Sequence, residues 1–91
     1  MIIAQAIKMK NGCAYSNNLL EIDQIYLTNT TNGWYKKENI YDYLISNPKS
    51  IVVGTIYGPY VVPAISKNNE KFVKSVPNHT TLDNLLSLQR K

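Results

Sequence analysis

The stretch KKENIYDYLISNP, residues 36–48, has the residue spacing of an amphipathic helix. Ile40 and Leu44 are four residues apart, which places them on one helical face. Glu38 lies in the first turn, where a carboxylate complements the helix dipole. The closing proline disfavours helical backbone in the residue before it, so the helix ends there. The sequence therefore predicts one helix over about residues 36–46, with an apolar face to bury.

Two strands that can pair as a hairpin precede this helix. Residues 2–10 alternate apolar with small or polar side chains, which is typical of a half-buried strand. A second strand begins at Leu20, and its inward phase shifts at Asp23-Gln24 before it resumes at Ile25. Such a one-residue shift is what a β-bulge produces. The loop between the two strands opens with the turn-forming pair Asn11-Gly12.

Three β-rich segments follow the helix. The first, residues 51–57, is β-branched and aromatic and is interrupted by Gly54. The second, residues 60–65, contains Pro63, which favours an edge or bulge position because proline has no amide to donate to a ladder. The third, residues 71–76, comes after a polar hairpin loop. We expect all three to join the sheet.

A C-terminal segment closes the predicted fold. Thr80 and Asp83 stand three residues apart, as in a capping box. We therefore expect a short helix or turn over about residues 81–88, with its leucines docked on the sheet. The element order predicts an α+β domain spanning residues 1–91. It consists of an antiparallel β-sheet of four to five strands with the mid-chain helix packed on one face.

Size and composition indicate one folded domain. The chain has 91 residues, of which 44% are hydrophobic and 18% charged, which excludes intrinsic disorder. Cys13 is the only cysteine, so neither an internal disulfide nor a thiolate metal cluster can form. The N-terminus lacks the basic and apolar regions of a signal peptide. No apolar run approaches the ~20 residues that cross a bilayer. We expect a cytoplasmic protein with no membrane partner.

The net charge of +4 lies entirely in the second half of the chain. Residues 1–45 carry four lysines and four carboxylates, whereas residues 46–91 carry six basic and two acidic side chains. A basic half favours a nucleic-acid partner. Codon bias is the competing explanation, because Asn, Ile, Lys and Tyr have AT-rich codons and make up 37 of the 91 residues. Nine of the ten basic residues are lysine, which disfavours a nucleic-acid partner. Arginine is the residue better suited to phosphates and bases, because its planar guanidinium group can donate two hydrogen bonds side by side.

The tail carries the stretch that points to a family. The motif FVKSVPN, residues 72–78, is followed by DNLLSL, residues 83–88. Residues 72–88 resemble the closing signature of DUF 3892, a family of short bacterial proteins of unknown function. Two features depart from that pattern, because SNNL stands at residues 16–19, where family members often carry histidines, and Gln89 replaces the usual proline. The resemblance implies a small soluble bacterial domain and no activity.

No group of residues carries a catalytic signature. Cys13 and His79 are the minimum for thiol catalysis, but both fall in predicted polar turns. The four glycines are isolated, so no phosphate-binding loop is present. No histidine or carboxylate pair has metal-ligand spacing with the partners that a site needs. We therefore predict a protein that is not an enzyme and uses no cofactor or metal.

The pair Asp83-Asn84 has two interpretations. In one, the carboxylate and the amide face a ligand. In the other, Asp83 accepts backbone amides at a helix start while Asn84 ties the tail to a strand, with Leu85 and Leu86 anchoring it. Local bonding of this kind is common for Asp and Asn, which favours the structural interpretation.

Two functional hypotheses from different classes remain. The first is a small non-catalytic interaction module that docks an unknown protein partner or a second copy of itself. Exposed aromatic side chains would anchor it, because they give a large contact area at low entropy cost. The plausible anchors are Tyr15, Tyr26, Tyr35, Tyr57 and Tyr60, with Trp34, and the predicted interaction surface consists of Tyr26, Tyr35 and Tyr60. Core packing is the competing interpretation for tyrosines and tryptophan, and is strongest for Trp34, Tyr43 and Tyr57.

The alternative is weak, phosphate-directed binding of nucleic acid through the basic second half. The residues concerned are Lys71, Lys74, Arg90 and Lys91. Strand alternation places Lys71 and Lys74 on opposite faces, which disfavours a single basic stripe. Protein interaction therefore ranks first among the sequence-based hypotheses.

Overall fold

The computed structural model describes residues 1–76 and 83–91 of the chain. In chain order the elements are β1 (Ile2–Met9), a first 3₁₀ turn (Leu19–Glu21), β2 (Ile22–Thr28), β3 (Gly33–Lys36), α1 (Lys37–Ser46), β4 (Ile51–Val53), β5 (Val61–Ile65), β6 (Lys71–Ser75), a second 3₁₀ turn (Asn84–Ser87) and β7 (Gln89–Arg90). The predicted α+β class and the mid-chain helix are confirmed.

The main sheet is built around β1, which has neighbours on both sides. Its strand order is β3-β2-β1-β4, and β7 also pairs with β1. Both β2 and β3 are antiparallel to their neighbours. In contrast, β4 and β7 run parallel to β1, β4 along Ile2–Ala4 and β7 along Ala6 and Ile7. The sheet is therefore mixed rather than wholly antiparallel as predicted, because the chain crosses over twice to reach the second edge of β1.

Two irregularities interrupt the pairing of β1 with β2. Lys8 pairs with Gln24 and Met9 with Ile22, which leaves Asp23 as the extra residue of a bulge. The bulge that the sequence predicts at Asp23-Gln24 is confirmed. A second register shift lies between Ala4 and Ala6 on β1. Bulges let each strand keep apolar side chains directed inward on both sides of the irregularity.

The helix and a separate hairpin cover the inner face of the main sheet. Ile40 and Leu44 on α1 are buried. The hairpin pairs β5 with β6 from Val61–Ser75 to Ile65–Lys71 and packs against α1. The core between these layers contains Ala4, Ile7, Met9, Ile22, Ile25, Leu27, Ile40, Leu44, Ile51, Val53, Val61, Val73, Leu85 and Leu86.

The strand predicted over residues 51–57 is shorter than expected. It ends at Val53, because Gly54 has a positive φ of 81° and turns the chain away from the sheet. Thr55 then donates its amide to the Val53 carbonyl at 3.0 Å. The short helix or turn predicted over about residues 81–88 is, in the described residues, a 3₁₀ turn that begins at Asn84. Thr80 of the predicted capping box lies outside the described residues.

Candidate binding surface on the outer face of the main sheet

An aromatic pair lies on the outer face of the main sheet. Tyr26 on β2 and Trp34 on β3 are directly opposite each other. Their ring centroids are 5.3 Å apart and the rings meet edge to face at 69°. Both side chains are half-buried. The neighbouring pair, Ile25 and Tyr35, points to the inner face because strand residues alternate. The rings therefore stand where neither α1 nor the hairpin packs.

Three lysines surround this aromatic pair. The Nζ atom of Lys8 lies 4.8 Å from the centroid of the Trp34 ring, a cation–π contact. Lys36 is two residues after Trp34 on β3 and pairs with Gln24, so its side chain shares the outer face. Lys91 follows β7 and is exposed. Within residues 1–76 and 83–91, none of the three lysines lies within ion-pair distance of a carboxylate side chain.

An open depression of about 550 Å³ lies beside the aromatic pair. One of the residues that line it is Ala6 of β1, which pairs with Tyr26 on one side and with Gln89 of β7 on the other. Among the described residues the lining of the depression contains no Asp or Glu side chain and consists of Gln5, Ala6, Lys8, Tyr26, Trp34, Gln89 and Lys91. We call these residues, together with Lys36, the sheet-face site.

Carboxylates near the helix are neutralised by other lysines. Lys37 is only 3% exposed, and its Nζ lies 3.0 Å from Glu38 and 3.3 Å from Glu70. Burial opposes its charge, but these two ion pairs raise the pKa of Lys37 overall. Glu70 also bonds to Lys10 at 3.3 Å, and both lysines lower the pKa of Glu70. This network compensates acidic charge away from the sheet-face site.

The basic residues predicted to bind nucleic acid do not form one surface. Lys71 pairs with Asp42 at 2.8 Å and lies 5.4 Å from the Tyr41 ring centroid. The Arg90 guanidinium donates to backbone carbonyls of Ala14 and Ser16 at 2.9 and 2.8 Å, so it fixes the loop before β2. Lys74 is exposed on β6, within the separate hairpin. Lys91 alone of the four lines the sheet-face site.

The three predicted tyrosine anchors are also separated. Tyr26 lies in the sheet-face site, whereas Tyr35 packs against the core and donates its hydroxyl to the Thr31 carbonyl. Tyr60 forms an isolated bridge with Val52 at the β4 edge. Trp34 was predicted as an anchor, with core packing as the alternative, but Lys8 and Lys36 were not predicted as site residues. The signal for Lys36 was its alternation with Trp34, but β3 has only four residues, too few for a recognisable pattern.

The tail residues bond to β6. Asp83 accepts bonds from the Ser75 amide at 3.1 Å and from the Ser75 hydroxyl at 3.0 Å. It also accepts from the Leu85 amide at 2.9 Å, which caps the second 3₁₀ turn. Asn84 donates its backbone amide to the Ser75 hydroxyl at 3.2 Å. These contacts use the Asp83 carboxylate inside the fold, as expected of a structural tail.

Cys13 lies in a different polar cluster. Its thiol donates to Glu21 at 3.1 Å, and the Ser16 hydroxyl donates to the other oxygen of that carboxylate. The bond to Glu21 raises the pKa of Cys13, which disfavours the reactive thiolate. His79, its proposed partner, lies outside the described residues. Over residues 1–76 and 83–91, no three histidine, cysteine or carboxylate side chains are grouped to bind a metal.

An aromatic loop projects from the end of β4. Tyr57 is 91% exposed and Ile56 is 54% exposed, so of the two interpretations of Tyr57, core packing is wrong. Backbone bonds fix the loop, because Gly58 donates to the Thr55 carbonyl at 2.9 Å and Val53 donates to the Pro59 carbonyl at 3.0 Å. We call residues 54–60 the aromatic loop.

Comparisons with known proteins found no relative of this chain. No protein-family model, curated protein or solved structure matches the chain. The resemblance of residues 72–88 to DUF 3892 therefore stays a prediction. In the part of the chain that the structure describes, no helix is long and apolar enough to span a membrane.

Proposed function

We propose that this chain is a small, non-catalytic cytoplasmic module that binds nucleic acid through the sheet-face site. The observation that supports this proposal is the position of Lys8 over Trp34, next to Tyr26, in a depression that no described Asp or Glu side chain lines. Lysines attract the phosphates of a nucleic acid, and the binding releases counterions that were condensed on its backbone. Aromatic rings on a sheet offer π faces to bases. The site thus combines the two chemistries that a nucleic acid presents.

The sheet-face site differs from the basic surface that the sequence predicts in the second half of the chain. Lys71 and Arg90 are engaged in contacts within the fold, whereas Lys8 and Lys36 come from the half with zero net charge. Local grouping matters more than the charge of a segment, because screening limits the reach of each charge to about 8–10 Å at physiological ionic strength.

Fluorescence anisotropy with a labelled 15-nucleotide DNA strand, from 50 to 200 mM salt, tests the proposal. The double variant Lys8→Gln/Lys36→Gln is compared with Lys49→Gln/Lys67→Gln, which loses the same charge from exposed loop positions. We expect the first pair to weaken binding by about fivefold or more. It should also reduce the slope of log K against log salt by roughly 1.4, for two lost phosphate contacts. Equal effects from both pairs, or no binding at 50 mM salt, would reject the proposal.

A second candidate function is self-association through the aromatic loop. The loop carries no charged residue, so two copies of this basic protein can meet there without placing like charges in contact. Its exposed Ile56 and Tyr57 offer apolar area, and its backbone bonds reduce the entropy lost on binding. Tyr60, one of the predicted anchors, ends the same loop.

Light scattering over a hundredfold range of protein concentration tests this candidate. Ile56→Ser/Tyr57→Ser should convert any dimer to monomer at both low and high salt. Tyr15→Ser is the matched control, since Tyr15 is 96% exposed and lies in the loop after β1. A monomer at every concentration in the unmodified protein would exclude self-association.

A further inference from the structure

We infer that the ligand of the sheet-face site is single-stranded nucleic acid, with a base stacked against Trp34. The inference rests on the proposed function and narrows it to one class of nucleic acid. Three features support it: the shape of the surface, the availability of the Trp34 ring, and the amide groups around the depression.

The shape of the surface disfavours a duplex. Four strands lie side by side from β3 through β2 and β1 to β7. Neighbouring strands lie about 4.8 Å apart, so the backbone of these four strands spans about 14 Å across the sheet. The major groove of B-DNA is about 12 Å wide and admits a helix or a two-stranded ribbon. This face is too broad to enter the groove, and the bases of a duplex are already stacked on one another. A single strand can instead lie across the sheet and turn its bases toward the rings.

The Trp34 ring is positioned to receive a base. Tyr26 supports it edge to face at 5.3 Å between centroids, which fixes the ring orientation. Lys8 places its ammonium group 4.8 Å from the ring centroid. The lysine stem is flexible, so a base can displace the ammonium group, which then pairs with a neighbouring phosphate. Lys8 and Trp34 would therefore contact the same nucleotide, one through its charge and the other through its ring.

Glutamine amides line the far side of the depression. Gln5 is exposed on β1 at the register shift, and Gln89 pairs with Ala6 across the β7 edge. Each amide has two N–H donors and a carbonyl acceptor. Both can therefore contact the edges of an unpaired base, which a duplex hides in its pairing. Stacking tolerates every base, so we expect weak sequence preference.

The intrinsic fluorescence of Trp34 provides a direct test, because it is the only tryptophan in the chain. The unmodified protein is titrated with dT15, rU15, a 15-base-pair duplex and an abasic phosphodiester chain of 15 units. We expect dT15 or rU15 to quench the emission and to bind at least tenfold more tightly than the duplex. The abasic chain should bind without quenching, since it has phosphates but no bases.

A variant separates stacking from charge. Trp34→Leu, measured by anisotropy, should weaken binding of dT15 about tenfold, as expected for loss of one stacked base. Its affinity for the abasic chain should change less than twofold. Tyr15→Leu, from an exposed position outside the site, should leave both affinities unchanged. The fluorescence titration needs no variant, so it remains decisive if Trp34→Leu fails to fold.

The outcomes distinguish this inference from the proposed function. If the duplex and the single strands bind equally, without quenching, but the lysine variants still weaken binding, the stacking inference is wrong and nucleic-acid binding stands. If none of the four probes binds at 50 mM salt, both are wrong. Quenching by rU15 alone or by dT15 alone supports the inference and shows which of the two strands the site prefers.

Discussion

Asp83 accepts hydrogen bonds from both the amide and the hydroxyl of Ser75, eight residues earlier in the chain. Ser75 is the last residue of β6 and is 3% exposed. The same carboxylate caps the second 3₁₀ turn through Leu85. One side chain therefore joins the hairpin to the turn that leads into β7.

Replacing this carboxylate should destabilise the whole protein. Asp83→Ala loses a charge-assisted bond to Ser75 and the cap of the 3₁₀ turn, and leaves the buried Ser75 groups unsatisfied. We expect the free energy of unfolding to fall by about 2–3 kcal/mol in urea denaturation. Asp42→Ala is the control, because it removes a carboxylate whose ion pair with Lys71 is exposed. The free energy of unfolding should therefore fall by clearly less in Asp42→Ala than in Asp83→Ala. Equal losses would contradict the structural role of Asp83.

The aromatic loop has no room for a side chain at Gly58. A Cβ atom there would lie 1.8 Å from the Val53 carbonyl oxygen, which belongs to the backbone of β4. Gly58→Ala should therefore lower the free energy of unfolding by at least about 2 kcal/mol. Gly33→Ala is the control, because a Cβ atom at Gly33 meets nothing within 4 Å. The control should be neutral or stabilising by up to about 1 kcal/mol. Thermal unfolding of both variants measures the difference.

Stability should depend on the ionisation of Glu70. Hydrogen bonds from Lys37 and Lys10 lower its pKa in the folded state, so the unfolded chain binds a proton more readily. The stability that Glu70 contributes is therefore fully present above its ordinary pKa of about 4.3. This stability is lost as the pH falls through the lower pKa that Glu70 has in the folded state. In urea denaturation from pH 6 to pH 3, the difference in free energy of unfolding between the unmodified protein and Glu70→Gln should decrease. A constant difference across this range would exclude the linkage.

The Cys13 thiol should react slowly. Its bond to Glu21 and the charge of that carboxylate raise its pKa, so little thiolate is present at neutral pH. Alkylation by iodoacetamide, followed from pH 7 to pH 10, should have a midpoint above that of a free cysteine. Glu21→Gln removes the charge and should move the midpoint down and increase the rate at pH 8. If the variant reacts no faster, the carboxylate does not control the thiol.

The elements that the sequence predicts well are those with a strong local pattern. The Ile40 and Leu44 spacing identifies α1, and the phase change at Asp23 identifies the bulge. In contrast, β7 has two residues and no alternation, and its pairing with Ala6 and Ile7 depends on contacts more than 80 residues away in sequence. Parallel pairing of this kind leaves no local signature. Gly54 was recognised as an interruption, but its positive φ, which ends the strand, is visible only in the structure.

The candidate site depends on the same non-local contacts. Tyr26 and Lys91 were singled out from the sequence for two different functions, and the structure brings both to one face. The sequence left Trp34 with two interpretations, an exposed anchor or a core residue. Its strand, β3, has only four residues, so the face that it presents is decided by pairing with β2. The grouping of Lys8 with Trp34 follows from that register.

Because β7 pairs with β1, two strands from distant parts of the sequence complete one surface. During synthesis, β1 emerges from the ribosome long before residues 89 and 90, so its edge along Ala6 and Ile7 has no β7 partner until they follow. Gln89 and Lys91 supply one wall of the depression, so a nascent chain that ends before residue 89 has the aromatic pair but not the finished site. A protease that cuts before Gln89 should therefore weaken the proposed binding while leaving Tyr26 and Trp34 in place.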